Sequence, residues 1–152
     1  MFASPLRLFC LLSCVFLGTS ALAQEGHPAK GTWVGFWGQA KVQQNRVVVV
    51  MDYDGKNLTG MVNPGPNPIP IKMARLDITP GAPPAKPGDP VGEPTFKVHI
   101  EAEGKDAKGN PISIIADGAL QNVGLPSRTL VGAWVQTSDG KTVKGDFQIR
   151  RQ

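Results

Sequence analysis

Cysteine is scarce in this chain: the only two in 152 residues are Cys10 and Cys14. Both lie in segment 1–23, which has one positive charge at Arg7, then an apolar run and a small-residue ending at Ala23. This pattern predicts a cleaved signal peptide, and its apolar run is too short for a permanent membrane anchor. We therefore expect an exported protein whose mature form has no disulfide, thiolate metal site or cysteine nucleophile.

The mature chain has the size of one domain, because removing residues 1–23 leaves 129. A small exported domain without disulfides favours a bacterial envelope protein, periplasmic or extracellular. Residues 24–30, with His27 before Pro28, are expected to form a flexible mature N-terminus.

A strong excess of one charge is also lacking, since the formal net charge is +4 and the basic residues are spread along the chain. Without aromatic residues interleaved among them, they do not predict nucleic-acid binding. There are two histidines, His27 and His99, and neither has metal-ligand spacing. No nucleophile motif occurs either. We therefore expect no metal, no cofactor and no catalytic activity.

Sustained helical periodicity is absent after residue 23, and short alternating or β-branched runs separated by turn signals take its place. The predicted strands are Thr32–Trp37, Arg46–Tyr53, Leu58–Val62, Met73–Ile78, Thr95–Glu103, Ile112–Leu120, Thr129–Gln136 and Thr142–Arg150. Such sequential strands, joined mostly by hairpins, predict an all-β, eight-stranded up-and-down meander over residues 31–152. Closure into a barrel would remove the exposed edges, and a β-sandwich is the alternative.

Glycines inside the predicted strands favour the barrel over the sandwich. They are Gly35, Gly60, Gly118, Gly132 and Gly145. Glycine weakens strand pairing, but a strongly coiled strand needs bends with no side chain in the way. The glycine pattern is therefore typical of a closed or nearly closed barrel.

Proline is concentrated in two segments, and ten of the 14 prolines lie between residues 64 and 94. Asn63–Ile71 alternates proline with other residues, so it is expected to be a stiff connection without a regular hydrogen-bond ladder. Pro80–Pro94 is expected to be a flexible or polyproline-like loop.

The first predicted strand opens with Gly31-Thr32-Trp33. A Gly-x-Trp at that place resembles the calycin superfamily, the lipocalins and avidins in particular. In lipocalin-like barrels this tryptophan closes one end of the barrel and packs under an arginine from the end of the last strand. The resemblance implies that role for Trp33, with Arg150 or Arg151 as its partner. Asp54-Gly55 followed by Leu58-Thr59-Gly60 also looks like an early avidin hairpin.

The candidate binding residues include the three tryptophans. Trp33 and Trp37 are four residues apart, so they project to one face of a regular strand, and Trp134 shares its face with Gly132. These rings either line a ligand cavity or fill the core.

Two polar residues complete the candidate set. His99 lies on the polar face of the fifth run, between Lys97 and Glu101. Asp117 interrupts the apolar sixth run and must be paired, hydrogen-bonded or solvated.

Two functional hypotheses follow. In the first, the barrel binds an apolar or amphipathic small molecule, with Trp33, Trp37, Trp134, Asp117 and His99 as ligand-binding residues. In the second, it is a non-catalytic structural or interaction module of the cell envelope with a filled core and an exposed proline-rich loop. An enzyme that uses Asp52 or Asp117 with His99 is the least favoured reading.

Overall fold

The computed structural model describes residues 26–39, 44–63 and 65–152, and within them the chain forms eight antiparallel strands closed into one barrel. The strands are β1 Gly31–Gly38, β2 Asn45–Tyr53, β3 Leu58–Val62, β4 Ile69–Thr79, β5 Thr95–Lys105, β6 Pro111–Gln121, β7 Thr129–Ser138 and β8 Lys141–Arg151. Each strand pairs with the next, and β8 returns to pair with β1 from Trp33–Arg151 to Gly38–Asp146. The predicted up-and-down barrel is therefore confirmed, and the alternative of a sandwich is wrong.

The period-2 alternation of the sequence decides which side chains fill the interior. In β5, Val98, Ile100 and Ala102 are buried, while the residues between them lie on the outer face. The same alternation holds around the barrel, so one apolar cluster fills its centre. The sequence could predict this core because the alternating positions of each strand face the inside of a closed sheet.

Two strand glycines lie where neighbouring backbones come very close. A Cβ built on Gly35 would lie 2.0 Å from the carbonyl oxygen of Gln148 in β8. A Cβ built on Gly132 would lie 2.0 Å from the carbonyl oxygen of Asp117 in β6. These glycines are therefore required by the close approach of adjacent coiled strands, as their positions in the sequence suggested.

The proline-rich segment before β4 departs from its prediction. β4 begins at Ile69, whereas the sequence predicted a start at Met73. Ile69 and Ile71 are buried and pair with Val62 and Gly60, while Pro70 between them is exposed. Inward burial of two isoleucines therefore outweighs the missing proline N–H, and the ladder to β5 becomes irregular just beyond, between Ile71 and Met73.

The second proline-rich segment, residues 80–94, contains no strand and joins β4 to β5. The amide of Gly92 donates to the carbonyl of Ala82 at 2.9 Å, which closes the base of the loop. A turn at its tip is held by the amide of Asp89, which donates to the carbonyl of Lys86 at 3.1 Å. The loop thus folds back on itself outside the barrel.

Residues 26–30, which the sequence predicted to be flexible, pack at the end of the barrel where β1 begins. Ala29 is fully buried, and its carbonyl accepts a 2.9 Å hydrogen bond from Nε1 of Trp33. The ring of His27 lies 4.5 Å from that of Tyr53, and partial burial lowers the pKa of this histidine. The sequence did not predict these contacts, since no local pattern marks Ala29 as a core residue.

The predicted signal peptide, residues 1–23, lies outside the described residues. Across the described parts of the chain, the structure contains no helix with the length and hydropathy of a transmembrane span.

Candidate functional site

One end of the barrel interior is closed by a tryptophan pair. The rings of Trp37 in β1 and Trp134 in β7 have centroids 4.8 Å apart and are tilted by 35°. Trp134 is buried, and its Nε1 donates to the carbonyl of Asp146 at 3.2 Å. Trp37 is only half-buried. The pair therefore lies between the apolar interior and the solvent, at the end of the barrel where β1 ends and β2 begins.

Very little space remains below this pair. The internal cavity has a volume of about 30 Å³ and is lined only by apolar side chains from β1, β2, β3 and β5 to β8. That is room for roughly one or two water molecules, whereas small-molecule pockets usually measure about 300–1,000 Å³. The side chains of the protein itself therefore fill the barrel.

Trp33 lies at the other end of the interior and is 0% exposed. The buried arginine of this end is Arg128, directly before β7, which is 1% exposed. Its Nε donates to the carbonyl of Val123 at 2.6 Å, and Nη1 donates to the carbonyl of Pro28 at 3.2 Å. Trp33 and Arg128 thus bind successive carbonyls of segment 26–30 and hold it across the barrel end.

The calycin resemblance implied Arg150 or Arg151 as the partner of Trp33. Arg150 is exposed, and Arg151 is half-buried with its backbone paired to Trp33. The amide of Arg151 donates to the carbonyl of Arg128 at 2.9 Å. The last strand thus reaches the buried arginine through its backbone, and Arg128 itself comes from the β6–β7 connection.

The two polar candidates lie on the outer face of the barrel, where their strands pair. His99 in β5 and Asp117 in β6 are register partners, and Nδ1 of His99 lies 2.6 Å from Oδ1 of Asp117. The other ring nitrogen, Nε2, lies 3.1 Å from Oε1 of Glu101. The His99 side chain is 16% exposed, and that of Asp117 is 69% exposed. The structure therefore joins His99 to Asp117 but separates both from the three interior tryptophans.

The electrostatics of this cluster favour a protonated imidazole. Hydrogen bonds to Asp117 and then to Glu101 raise the pKa of His99, against smaller opposing effects of burial and of Arg75 on β4. Arg75 faces His99 across the β4–β5 pair and is itself bonded to Asp77 at 3.1 Å. The contact between His99 and Asp117 links β5 to β6, and both ring nitrogens of His99 have carboxylate partners.

Asp52, the other carboxylate considered for acid–base work, lies far from this cluster in the strand order. It ends the outer face of β2, and its Oδ1 lies 2.9 Å from Nζ of Lys30. The hydrogen bond to Lys30 is the main cause that lowers the pKa of Asp52. In a closed eight-stranded barrel, β2 and β6 lie on opposite sides, so Asp52 cannot act together with Asp117 and His99.

We predict that Asp117→Asn lowers the pKa of His99, measured by NMR titration of its ring protons, with His27 as an internal reference. Because the pKa of His99 is raised in the folded state, its contacts with the carboxylates stabilise the fold when the imidazole is protonated. This contribution is fully present below the unfolded-state pKa of about 6.5 and is lost as the pH rises through the folded-state pKa. The destabilisation by Asp117→Asn should therefore be larger at pH 5.5 than at pH 8.5. The exposed control Asp139→Asn should change neither quantity. An unchanged His99 titration in Asp117→Asn would contradict the pairing.

The fold and this geometry define a closed up-and-down β-barrel with a filled apolar interior and a charged cluster on its outer face. Within the described residues, no group of three or more histidine, cysteine or acidic side chains could hold a metal ion. Comparison of the chain with protein-family models, curated proteins and solved structures finds no match.

Two features of the molecule were not predicted from the sequence: the buried Arg128 and the partly exposed apolar outer face of β2. Arg128 has no flanking signal that distinguishes it from an exposed loop arginine. The apolar outer face of β2 could have been predicted, because residues 47–50 are four consecutive valines. In a strand, alternate residues point to opposite faces, so two of these valines must lie on the outside.

Proposed function

We propose that this protein is a non-catalytic interaction module of the cell envelope that acts through the outer surface of its barrel. The observation that carries this proposal is the internal cavity of about 30 Å³, which is too small for a small-molecule cargo. The signal-like segment 1–23 supports the location, since its charge, apolar run and small-residue ending are those of an export signal.

The outer surface also favours binding over catalysis. The His99–Asp117–Glu101 cluster lies on an open strand face, where solvent reaches both carboxylates. Each ring nitrogen of His99 already has a carboxylate partner, so neither nitrogen faces an open position where a substrate could be deprotonated. A histidine that acts as a general base needs a pKa near the operating pH and an unprotonated ring nitrogen that can reach the substrate. The two carboxylate partners of His99 disfavour both conditions.

A second candidate function is favoured by the half-buried Trp37. This ring covers a cavity with a wholly apolar lining, so a rotamer change of Trp37 would open the interior to an apolar or amphipathic molecule. The first candidate remains better supported, because the cavity of about 30 Å³ must be enlarged at least about tenfold before it reaches the volume of an ordinary ligand pocket.

Native mass spectrometry of residues 24–152, purified from the extracytoplasmic fraction of the native host, distinguishes the two candidates. The interaction module is expected at its bare mass or with protein-sized adducts. Trp37→Ala should then destabilise the fold by about 3 kcal/mol in urea unfolding, because it removes a packed ring from the core end. A reproducible adduct of a few hundred daltons that Trp37→Ala abolishes in a folded protein would instead establish the ligand-binding barrel.

A further inference from the structure

The outer face of β2 carries an unusual charge pattern. Its outward residues in order are Arg46, Val48, Val50 and Asp52, because Val47, Val49 and Met51 are buried between them. A cation begins the row, two partly exposed valines form its centre and a carboxylate ends it. Such a row is complementary to itself when it is turned end to end.

Neighbouring strands widen the apolar centre of this row. Val34 of β1 pairs with Val48, and Met61 of β3 pairs with Val50, so both lie on the same outer face. Met61 is 37% exposed. We use the term β2 face for Val34, Val48, Val50 and Met61 with the flanking Arg46 and Asp52.

Within the described chain, no other strand carries two successive outward apolar residues between a cation and a carboxylate. The outward residues of β5 between Lys97 and Glu103 are all charged or histidine. Ile115 and Val135 form a second exposed apolar pair on β6 and β7, and Lys144 and Glu101 flank this pair in a row that crosses the strands instead of following one strand. That second pair provides a matched control surface.

We infer that the β2 face binds a second copy of this chain in a two-fold, face-to-face dimer, an inference that rests on the proposed interaction function. With the symmetry axis perpendicular to the strands and level with residue 49, Val48 meets Val50 of the partner subunit. Arg46 then meets Asp52 of the partner subunit, and the contact occurs twice because the interface is isologous.

The charges also select the orientation of the two copies. An axis parallel to the strands would place Arg46 against Arg46 of the partner subunit, which is repulsive. The antiparallel arrangement instead gives Asp52 a second cation beside Lys30, which it already holds at 2.9 Å. Both side chains of that existing pair are exposed, so the partner can approach the carboxylate without breaking the barrel.

Sedimentation equilibrium of residues 24–152 at micromolar to submillimolar concentration tests this inference. We expect a reversible monomer–dimer equilibrium that weakens with added salt. Val48→Lys should raise the dimer Kd by at least about tenfold, because the mutation places two like charges at the centre of the interface. Val135→Lys is the control, an outward mid-strand valine exchanged in the same way, and should leave the dimer unchanged.

A charge exchange tests the pairing itself. Arg46→Asp and Asp52→Arg should each weaken the dimer, whereas the double variant should restore association, because it exchanges the two ends of the row. Circular dichroism of each variant confirms that the barrel remains folded. Restoration by the double variant is not expected from any arrangement in which these two residues lie apart.

Several results would overturn the inference. A monomer at every concentration, a dimer that Val48→Lys leaves intact, or open-ended oligomers would each exclude the two-fold β2 interface. A monomer that sediments with phosphatidylglycerol vesicles, and fails to do so as Val48→Lys, would assign the face to a lipid surface instead. None of these results would restore a small-molecule cargo, which the mass measurement tests separately.

Discussion

Replacing Trp33 by alanine is expected to cost about 3–5 kcal/mol of the free energy of unfolding, the range for deletion of a large buried aromatic side chain. Trp33 is fully buried at the end of the barrel where β1 begins. The mutation also removes the indole N–H that satisfies the carbonyl of Ala29, so this buried acceptor loses its partner. Because total stabilities are about 5–15 kcal/mol, this loss removes a large share of the free energy of unfolding and should lower the Tm markedly.

Urea unfolding followed by circular dichroism measures this cost. Trp33→Phe separates its two parts, since it keeps most of the ring but loses the donor, and we expect about 1–2 kcal/mol. Phe36→Ala is the matched control, an aromatic residue of the same strand that is 52% exposed on the outer face. A loss for Trp33→Ala no greater than that for Phe36→Ala would show that residues 26–30 and Trp33 do not seal the barrel end.

The second large effect is expected for Gly132→Ala in β7. The new methyl group would lie 2.0 Å from the carbonyl oxygen of Asp117 and 2.5 Å from Cα of Gly118. Both atoms belong to the backbone of β6, so a side-chain rotation cannot relieve the clash and the two strands must separate. We expect a loss of about 3 kcal/mol or more, at the upper end of the usual range for overpacking.

Gly124→Ala is the control for this substitution. A Cβ at Gly124 has no neighbouring atom within 4 Å, and its φ lies outside the left-handed region. Its effect should be within about 1 kcal/mol, and the reduced freedom of the unfolded chain favours a small gain. Similar Tm values for the two variants would show that β6 and β7 are not in such close contact.

The sequence predicted strand positions well because burial and alternation are local signals in a barrel. Each strand contributes inward residues at every second position, so β5 could be recognised from Phe96 to Ala102 alone. The start of β4 was missed because proline is a strong local signal against pairing, whereas the burial of Ile69 and Ile71 depends on their neighbours in the closed sheet.

In the candidate site, too, local patterns predicted some features, whereas others depend on how the strands pair. The shared face of Trp33 and Trp37 follows from their even spacing, and the structure confirms it. The contact between His99 and Asp117 depends on the register of β5 against β6, which no local pattern specifies. Nor could the sequence show that Arg128, 100 residues from Pro28, binds its carbonyl.

The sequence by itself therefore determined the all-β class, the strand order and the inward and outward faces, because each of these follows from alternation and turn residues along the chain. Only the tertiary structure decided that the interior is filled, that the five candidate binding residues divide between inside and outside, and that segment 26–30 seals one end. These depend on strand register and on the summed volumes of side chains that are distant in sequence, and those quantities exist only after the barrel has closed.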